Sequence, residues 1–315
     1  MGKRRLGRSE LFIEPLVLGT NVVGWTADEA TSFAVLDAFV AEGFSAIDTA
    51  DSYSRWVPGN DSESEKIIGR WMKARGNRDK VLVFTKVGSD MGQGHKDLSA
   101  KWIVEAVEAS LKRLQTDHID LYQSHWPDER TPQDETLRAH DSLVKAGKVR
   151  FIGTSNHDIG LLSEALEISS REGLARYETI QNEFNLYTRD TFEGALQDLC
   201  VREEVSGMHY YGLASGFLSG KYRSAEDARK SPRGGGVVGK YLNDKGLRIL
   251  AAMDKVAERT GAAHAEIALA WVAAQPAVAA PIASATSVAQ VESLARGARL
   301  ALGAEDLAAL TDAGK

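Results

Sequence analysis

Short apolar runs recur along the chain, and between them lie longer stretches whose apolar positions return every three or four residues. The runs are PLVLG (15–19), FSAID (44–48), KVLVFT (80–85), HIDLYQ (118–123), VRFIGT (149–154), ETIQ (178–181), EVSGMHY (204–210) and AVAAPIA (277–283). Each has strand length and little polar alternation, the pattern of strands covered on both faces. The intervening periodicity predicts helices over 27–43, 62–76, 99–114, 131–147, 157–173, 189–203, 243–261, 264–275 and 287–297. Ser62 with Glu65 has capping-box spacing, Ser99 opens the third helix, and Thr131 with Pro132 reads as an N-cap followed by a first-turn proline. Eight strands alternating with helices predict a parallel α/β sheet with right-handed crossovers. At about 250 residues that is the size of a (β/α)8 TIM barrel, with a doubly wound sheet as the alternative. We expect a single domain over residues 1–315. Gly7-Arg8-Ser9 between two short strand-like pieces predicts a leading β-hairpin before the barrel. Residues 215–242 read as a long loop after strand 7, a length that usually carries function.

Composition narrows the classes. The 315 residues include 38 Lys and Arg against 44 Asp and Glu, a formal charge of −6, with no basic surplus to bind nucleic acid. Cys200 is the single cysteine, so neither an intramolecular disulfide nor a Cys-rich zinc site can form. The basic N-terminus lacks the apolar core of a secretory signal. The most apolar stretch, 268–283, is broken by Gln275, Pro276 and Pro281, which argues against a membrane helix. A soluble cytoplasmic protein is the expectation.

Polar residues fall at the C-terminal ends of these strands. Asp48 ends the second, Lys86 and His125 follow the third and fourth, Ser155 and Asn156 follow the fifth, Gln181 ends the sixth, and Tyr210 ends the seventh. In a barrel all those ends share the face that holds active sites. A buried Asp, Lys and His in one cluster are costly unless paired, so Asp48 and Lys86 are expected to pair. Tyr53, five residues after Asp48, can fold back over the same cup, where an adjacent ammonium lowers a phenol pKa toward the working range of a general acid. His125 is a neutral donor able to orient a carbonyl oxygen. Trp25, Trp56 and Trp126, in neighbouring loops, are candidate substrate walls.

The segments RRLGRSEL (4–11), LVLGTNVVG (16–24), FSAIDTADSYS (44–54), VFTKVG (83–88), IDLYQSHWPD (119–128), GKVRFIGTSN (147–156), QNEFNLYTR (181–189) and YYGLASGFLSGKY (210–222) stand in an order and spacing that resembles the aldo-keto reductase superfamily over nearly the whole chain. The resemblance implies a catalytic tetrad of Asp48, Tyr53, Lys86 and His125. It implies an NAD(P)H cofactor without a separate dinucleotide-binding domain. Ser155, Asn156 and Gln181 match residues that hold the carboxamide, and Tyr210 matches the aromatic that stacks on nicotinamide. Leu213, Ser215, Gly216, Leu218, Ser219 and Lys221 match the pyrophosphate segment. The implied substrate is a small carbonyl compound or alcohol, with a sugar or an aromatic carbonyl both open.

Two departures from the pattern stand out. His209 replaces the proline that often precedes the stacking aromatic, and we expect it at the surface. Ser284, Thr286 and Gln290 stand where NADP-binding relatives often place Lys or Arg, which leaves the 2′-phosphate to Lys221, Arg223, Arg233 or Lys240. NADP is expected, with only a weak bias over NAD. A metal hydrolase using His118 and His125 is disfavoured, because seven residues of strand separate them by roughly 23 Å at about 3.3 Å per residue; no metal is expected. A non-catalytic cofactor-binding subunit of the channel-associated kind is the other alternative, and the complete tetrad argues against it.

Overall fold

The structure, a computed structural model, describes residues 2–231 and 234–315. A two-stranded antiparallel hairpin, β1 (Arg4–Arg5) and β2 (Phe12–Ile13), precedes eight strands: β3 (Val17–Gly19), β4 (Ala46–Asp48), β5 (Leu82–Val87), β6 (Ile119–Ser124), β7 (Val149–Ser155), β8 (Tyr177–Gln181), β9 (Ser206–His209) and β10 (Val278–Ala283). These eight close into one parallel barrel in chain order, β10 pairing back with β3. Closure excludes the doubly wound alternative.

Helices follow every barrel strand: α1 (Glu29–Ala41), α2 (Glu63–Arg75), α3 (Ala100–Leu114), α4 (Gln133–Lys145), α5 (Ile159–Glu172) and α6 (Ala195–Glu203) after β3 to β8 in turn. Three helices, α7 (Gly234–Tyr241), α8 (Asp244–Thr260) and α9 (His264–Ala273), lie between β9 and β10, and α10 (Val288–Arg299) and α11 (Ala304–Ala313) close the chain. Successive strand residues face opposite sides. Phe84, Leu121, Met208 and Ile282 fill the barrel interior, while Val83, Tyr122 and Ile180 pack among the helices.

The hairpin plugs the barrel floor. Leu6, Leu11 and Ile13 are buried in the same interior cluster as Val17 and Phe84. Arg4 donates to the carbonyls of Ala273, Val278 and Ala279 at 2.6–3.2 Å, and the Arg8 amide donates to Glu178 at 2.6 Å. Gly7 sits at φ +56 against Glu178, where a β-carbon would meet that carboxylate at 2.2 Å, so only glycine fits. One end of the barrel is thereby stoppered, and the strand C-termini form its open end.

Several local expectations are corrected. Ser62 lies at φ 54 and caps nothing with its side chain. Glu65 instead accepts from Thr85 and from Arg113, both at 2.6 Å, a buried charge bound to its counter-ion rather than to its own helix. The fourth helix starts at Gln133 with Pro132 as its cap, and Thr131 bonds to Asp128 at 2.7 Å. Residues 190–194 are turn, and helix begins only at Ala195. The stretch 215–242 is not a plain loop: it holds 3-10 turns at Ala214–Ser219 and Ala225–Lys230, then α7. His209 is fully buried, not at the surface. Met208 points into the barrel, so His209 turns outward, with ring centroids 4.1 Å from Phe192 and 5.2 Å from Phe184.

Candidate active site

The open end of the barrel holds a cavity of about 520 Å³ lined by Asp48, Tyr53, His125, Ser155, Asn156, Gln181 and Tyr210, among others. Such a volume suits a small-molecule ligand. Asp48 and Lys86 come from adjacent strands, and both are fully buried: Lys86 Nζ donates to Asp48 Oδ2 at 2.6 Å, to the Thr49 carbonyl at 2.7 Å and to Tyr53 Oη at 3.0 Å. The other oxygen, Asp48 Oδ1, accepts from Gln123 at 3.1 Å and Gln181 at 3.0 Å. A buried ion pair is tolerable when its remaining donors and acceptors are met in this way.

Burial resists charge on Lys86, yet Asp48 and Tyr53 outweigh it and hold its pKa above the ordinary value. For Tyr53 the balance goes the other way. Burial raises the phenol, Lys86 pulls it down, and the net direction is upward. The expectation of a lowered Tyr53 pKa is therefore corrected: desolvation exceeds the ammonium's pull, and the phenol stays protonated through neutral pH. Burial, with Lys86 and Lys96 nearby, drives His125 well below its usual pKa, so its ring is neutral.

Tyr53 and His125 face each other edge-on, 5.9 Å between centroids, and Trp126 stacks on His125 at 5.5 Å. Trp56 lines the cavity; Trp25 does not, but meets Trp56 edge-on at 5.6 Å. Asn156, at φ 60, donates to the His125 carbonyl and to Ser155, and accepts from Tyr210 Oη at 2.7 Å. Ser155 Oγ donates to the Gln181 carbonyl at 2.6 Å.

The surroundings fit a nicotinamide dinucleotide. Gln181 uses its amide nitrogen on Asp48 and Gln123 and leaves its side-chain oxygen at the cavity wall unbonded among the described residues, an acceptor for a carboxamide. Beyond Leu213, residues Ala214, Ser215 and Gly216 have φ of 46, 56 and 92. Lys221 Nζ lies over this turn, 3.8 Å from where a β-carbon on Gly216 would stand, and pairs with no carboxylate among the described residues. Successive left-handed residues under an ammonium suit an anion. Leu218 is fully buried, and Ser219 Oγ donates back to the Gly216 carbonyl. Ser284 lines the cavity and donates to Asn21 at 2.6 Å; Thr286 and Gln290 bond to each other away from it. Arg223 is held by Asp254 at 2.7–2.8 Å, and Lys240 lies 3.7 Å from Glu183. Arg233 lies outside the described residues.

Sequence reasoning missed Gln123, Ser52, Ser89, Asn21, Arg55, Asp90 and Tyr211, all near or on the cavity wall. Gln123 carried a usable signal: it lies on β6 two residues before His125, which directly follows the strand, so an extended backbone puts both on one side. His118 precedes the other end of β6, far from His125, and bonds to Asp117 at 2.7 Å. Among the described residues no group of three or more His, Cys, Asp or Glu side chains could hold a metal ion, and no helix is long and apolar enough to cross a membrane.

The comparisons place this barrel in a class of oxidoreductases. The aldo/keto reductase family model matches residues 15–315, and the chain belongs to that family. It is similar to Protein tas of Escherichia coli (strain K12), 33% identical over 307 residues covering 90% of this chain and 88% of that one. It is similar to Aldo-keto reductase YhdN of Bacillus subtilis (strain 168), 34% identical over 274 residues covering 82% and 77%. A Probable voltage-gated potassium channel subunit beta of Oryza sativa subsp. japonica is 32% identical over 289 residues covering 90% and 86%.

Proposed function

We propose that the protein is an NAD(P)H-dependent carbonyl reductase in which Tyr53 is the general acid. The observation that carries this reading is the buried Asp48–Lys86–Tyr53 chain, with contacts of 2.6 and 3.0 Å, at the floor of a ligand-sized cavity. Ser155, Asn156, Gln181 and Tyr210 would hold the nicotinamide. Leu213, Ser215, Gly216, Leu218, Ser219 and Lys221 would hold the pyrophosphate, with Ser284, Thr286 and Gln290 toward the adenosine end. When bound, this cofactor supplies a hydride to the carbonyl carbon.

The chain's own residues do the rest. His125 and Tyr53 hydrogen-bond the carbonyl oxygen, where negative charge develops. Tyr53 releases its proton to that oxygen. Lys86 then stabilises the phenolate, and Asp48 keeps Lys86 charged and in place. A phenol held protonated favours reduction at neutral pH; alcohol oxidation, which needs the phenolate, should speed up as pH rises.

An aromatic carbonyl compound fits the cavity better than a sugar. Trp56 and Tyr211 line it with about half their surfaces exposed, and Trp126 forms a further wall. The polar lining is largely occupied. Ser52 bonds to Ser89, Arg55 to Asp61 and the Met91 carbonyl, Asp90 Oδ1 to two backbone amides, and Ser284 to Asn21. Rings gain from aromatic walls, whereas a polyol needs free partners for its hydroxyls. The rice relative's name favours a second reading, a non-catalytic binding subunit. NAD(P)H consumption with benzaldehydes and aldoses decides among these: we expect kcat/KM at least about tenfold higher for benzaldehydes, a gap of about 1.4 kcal/mol. Cofactor binding with no consumption for any carbonyl compound would favour the subunit.

A further inference from the structure

The imidazole of His125 has two nitrogens and one fixed partner. Nδ1 lies 3.0 Å from Ser89 Oγ. That hydroxyl in turn accepts from Ser52 Oγ at 3.2 Å, and Ser52 is the neighbour of Tyr53. Nε2 has no partner among the described residues, and the ring lines the cavity. We propose that Ser52 and Ser89 form a positioning relay that fixes His125 in the tautomer carrying its proton on Nε2. The relay's catalytic meaning rests on the carbonyl-reductase reading above.

Proton counting carries the inference. A neutral imidazole has one N–H, so the placement of that proton decides what the cavity sees. With the proton on Nδ1, Ser89 accepts from both Ser52 and His125. Its own hydroxyl proton, nearly buried, then has no acceptor, because Ser52 and His125 are the only partners of Ser89 Oγ among the described residues. A buried donor left unused costs about 1–3 kcal/mol. With the proton on Nε2, Ser52 donates to Ser89 and Ser89 donates to Nδ1, so every proton in the chain is used. The free Nε2–H can then bond a carbonyl oxygen, whereas the other tautomer turns a lone pair toward it. Ring flipping would put Cδ2 in place of Nδ1 and Cε1 in place of Nε2, and Trp126, stacked on the imidazole at 20°, restrains it. The relay also ties the loop bearing the proposed acid to the group that orients the substrate. Neither serine is assigned a role by the family resemblance.

The tautomer is read directly from the nitrogen-15 spectrum of histidine-labelled protein at neutral pH, with His125 identified by the signals missing from His125→Asn. We expect an unprotonated Nδ1 and a protonated Nε2. In Ser89→Ala we expect mixed tautomers and a fall in kcat of about tenfold with the aldehyde KM changed less than threefold; Ser89→Thr, which keeps the hydroxyl, restores both. A wild-type His125 protonated on Nδ1 overturns the proposal, as does a Ser89→Ala enzyme with wild-type kcat. The spectrum needs no turnover and no variant of Ser89. A protein that shows the Nε2 tautomer but reduces no carbonyl compound therefore overturns the reductase reading and leaves the relay standing.

Discussion

On the inner side of the barrel wall, Asp48, Lys86 and Gln123 are buried and bonded to one another. On its outer side Asp51, Tyr122 and His140 are just as buried, yet both oxygens of Asp51, the Tyr122 hydroxyl and His140 Nδ1 meet no partner among the described residues. The chemistry of the two sides diverges accordingly. Lys86 keeps its charge because Asp48 compensates for lost water. Asp51, beside Glu65 and with only partial relief from Arg113 and Lys86, is pushed up to about 8 by burial. His140 is held down at about 3. Burial alone thus yields neutral groups, and a paired partner is what converts burial into a usable ionised site.

Breaking the inner pair should have the largest effect. Lys86→Met leaves Asp48 buried and uncompensated, which costs about 3–5 kcal/mol of stability. It also removes the charge that supports a Tyr53 phenolate, so turnover should fall by about 10²-fold or more. Denaturant melts and steady-state kinetics check both. A stable, fully active Lys86→Met protein would erase the distinction between the two sides.

The outer side can be sharpened by pH. Asp51 binds a proton in the folded state up to about pH 8 but in the unfolded chain only to about pH 4, so it makes stability fall as pH rises through that window. His140, His157 and His209, at about 3, 4 and 3, act oppositely and remove stability as pH drops below about 6.5. Stability should therefore crest near pH 6.5. Asp51→Asn should raise Tm by at least about 2 °C more at pH 9 than at pH 5. Equal shifts at both pH values would mean that Asp51 is ionised and bonded in the fold.

The smallest effect is expected at the cavity rim, whose cations are mostly taken. Arg223 and Lys240 already face carboxylates, and Lys221, of these three, faces none among the described residues. Re-ordering such side chains costs about 0.5–1.5 kcal/mol each. NADPH and NADH should differ by less than about 100-fold in kcat/KM, or about 2.7 kcal/mol. Thr286→Arg should raise the preference for NADPH, and Ser284→Glu should favour NADH. A wild-type preference above about a thousandfold would place a strong phosphate clamp elsewhere in 221–240.

Much of this was legible in the residue order. Strand runs ending in Asp48, Lys86 and Gln181 announced both the barrel and its polar rim, because strand period and barrel closure leave those side chains one place to go. What escaped depended on long-range partners. Glu65 has the spacing of a helix cap, but Arg113, 48 residues away, claims it. His209 reads as a surface residue until Phe184 and Phe192 are seen to enclose it. The final helix, 304–313, buries only Leu310 and so leaves little periodic trace. The direction of the Tyr53 shift required knowing how deeply its hydroxyl sits, which no spacing reveals.

In the proposed reaction Tyr53 delivers the proton and does nothing else essential. Tyr53→Phe keeps the ring and removes the acid, so NADPH binding, followed by fluorescence, and NADPH consumption with a benzaldehyde should separate. Cofactor affinity should stay within about threefold of wild type and turnover should fall by about 10²-fold or more. A Tyr53→Phe protein that turns over within a few-fold of wild type would contradict it.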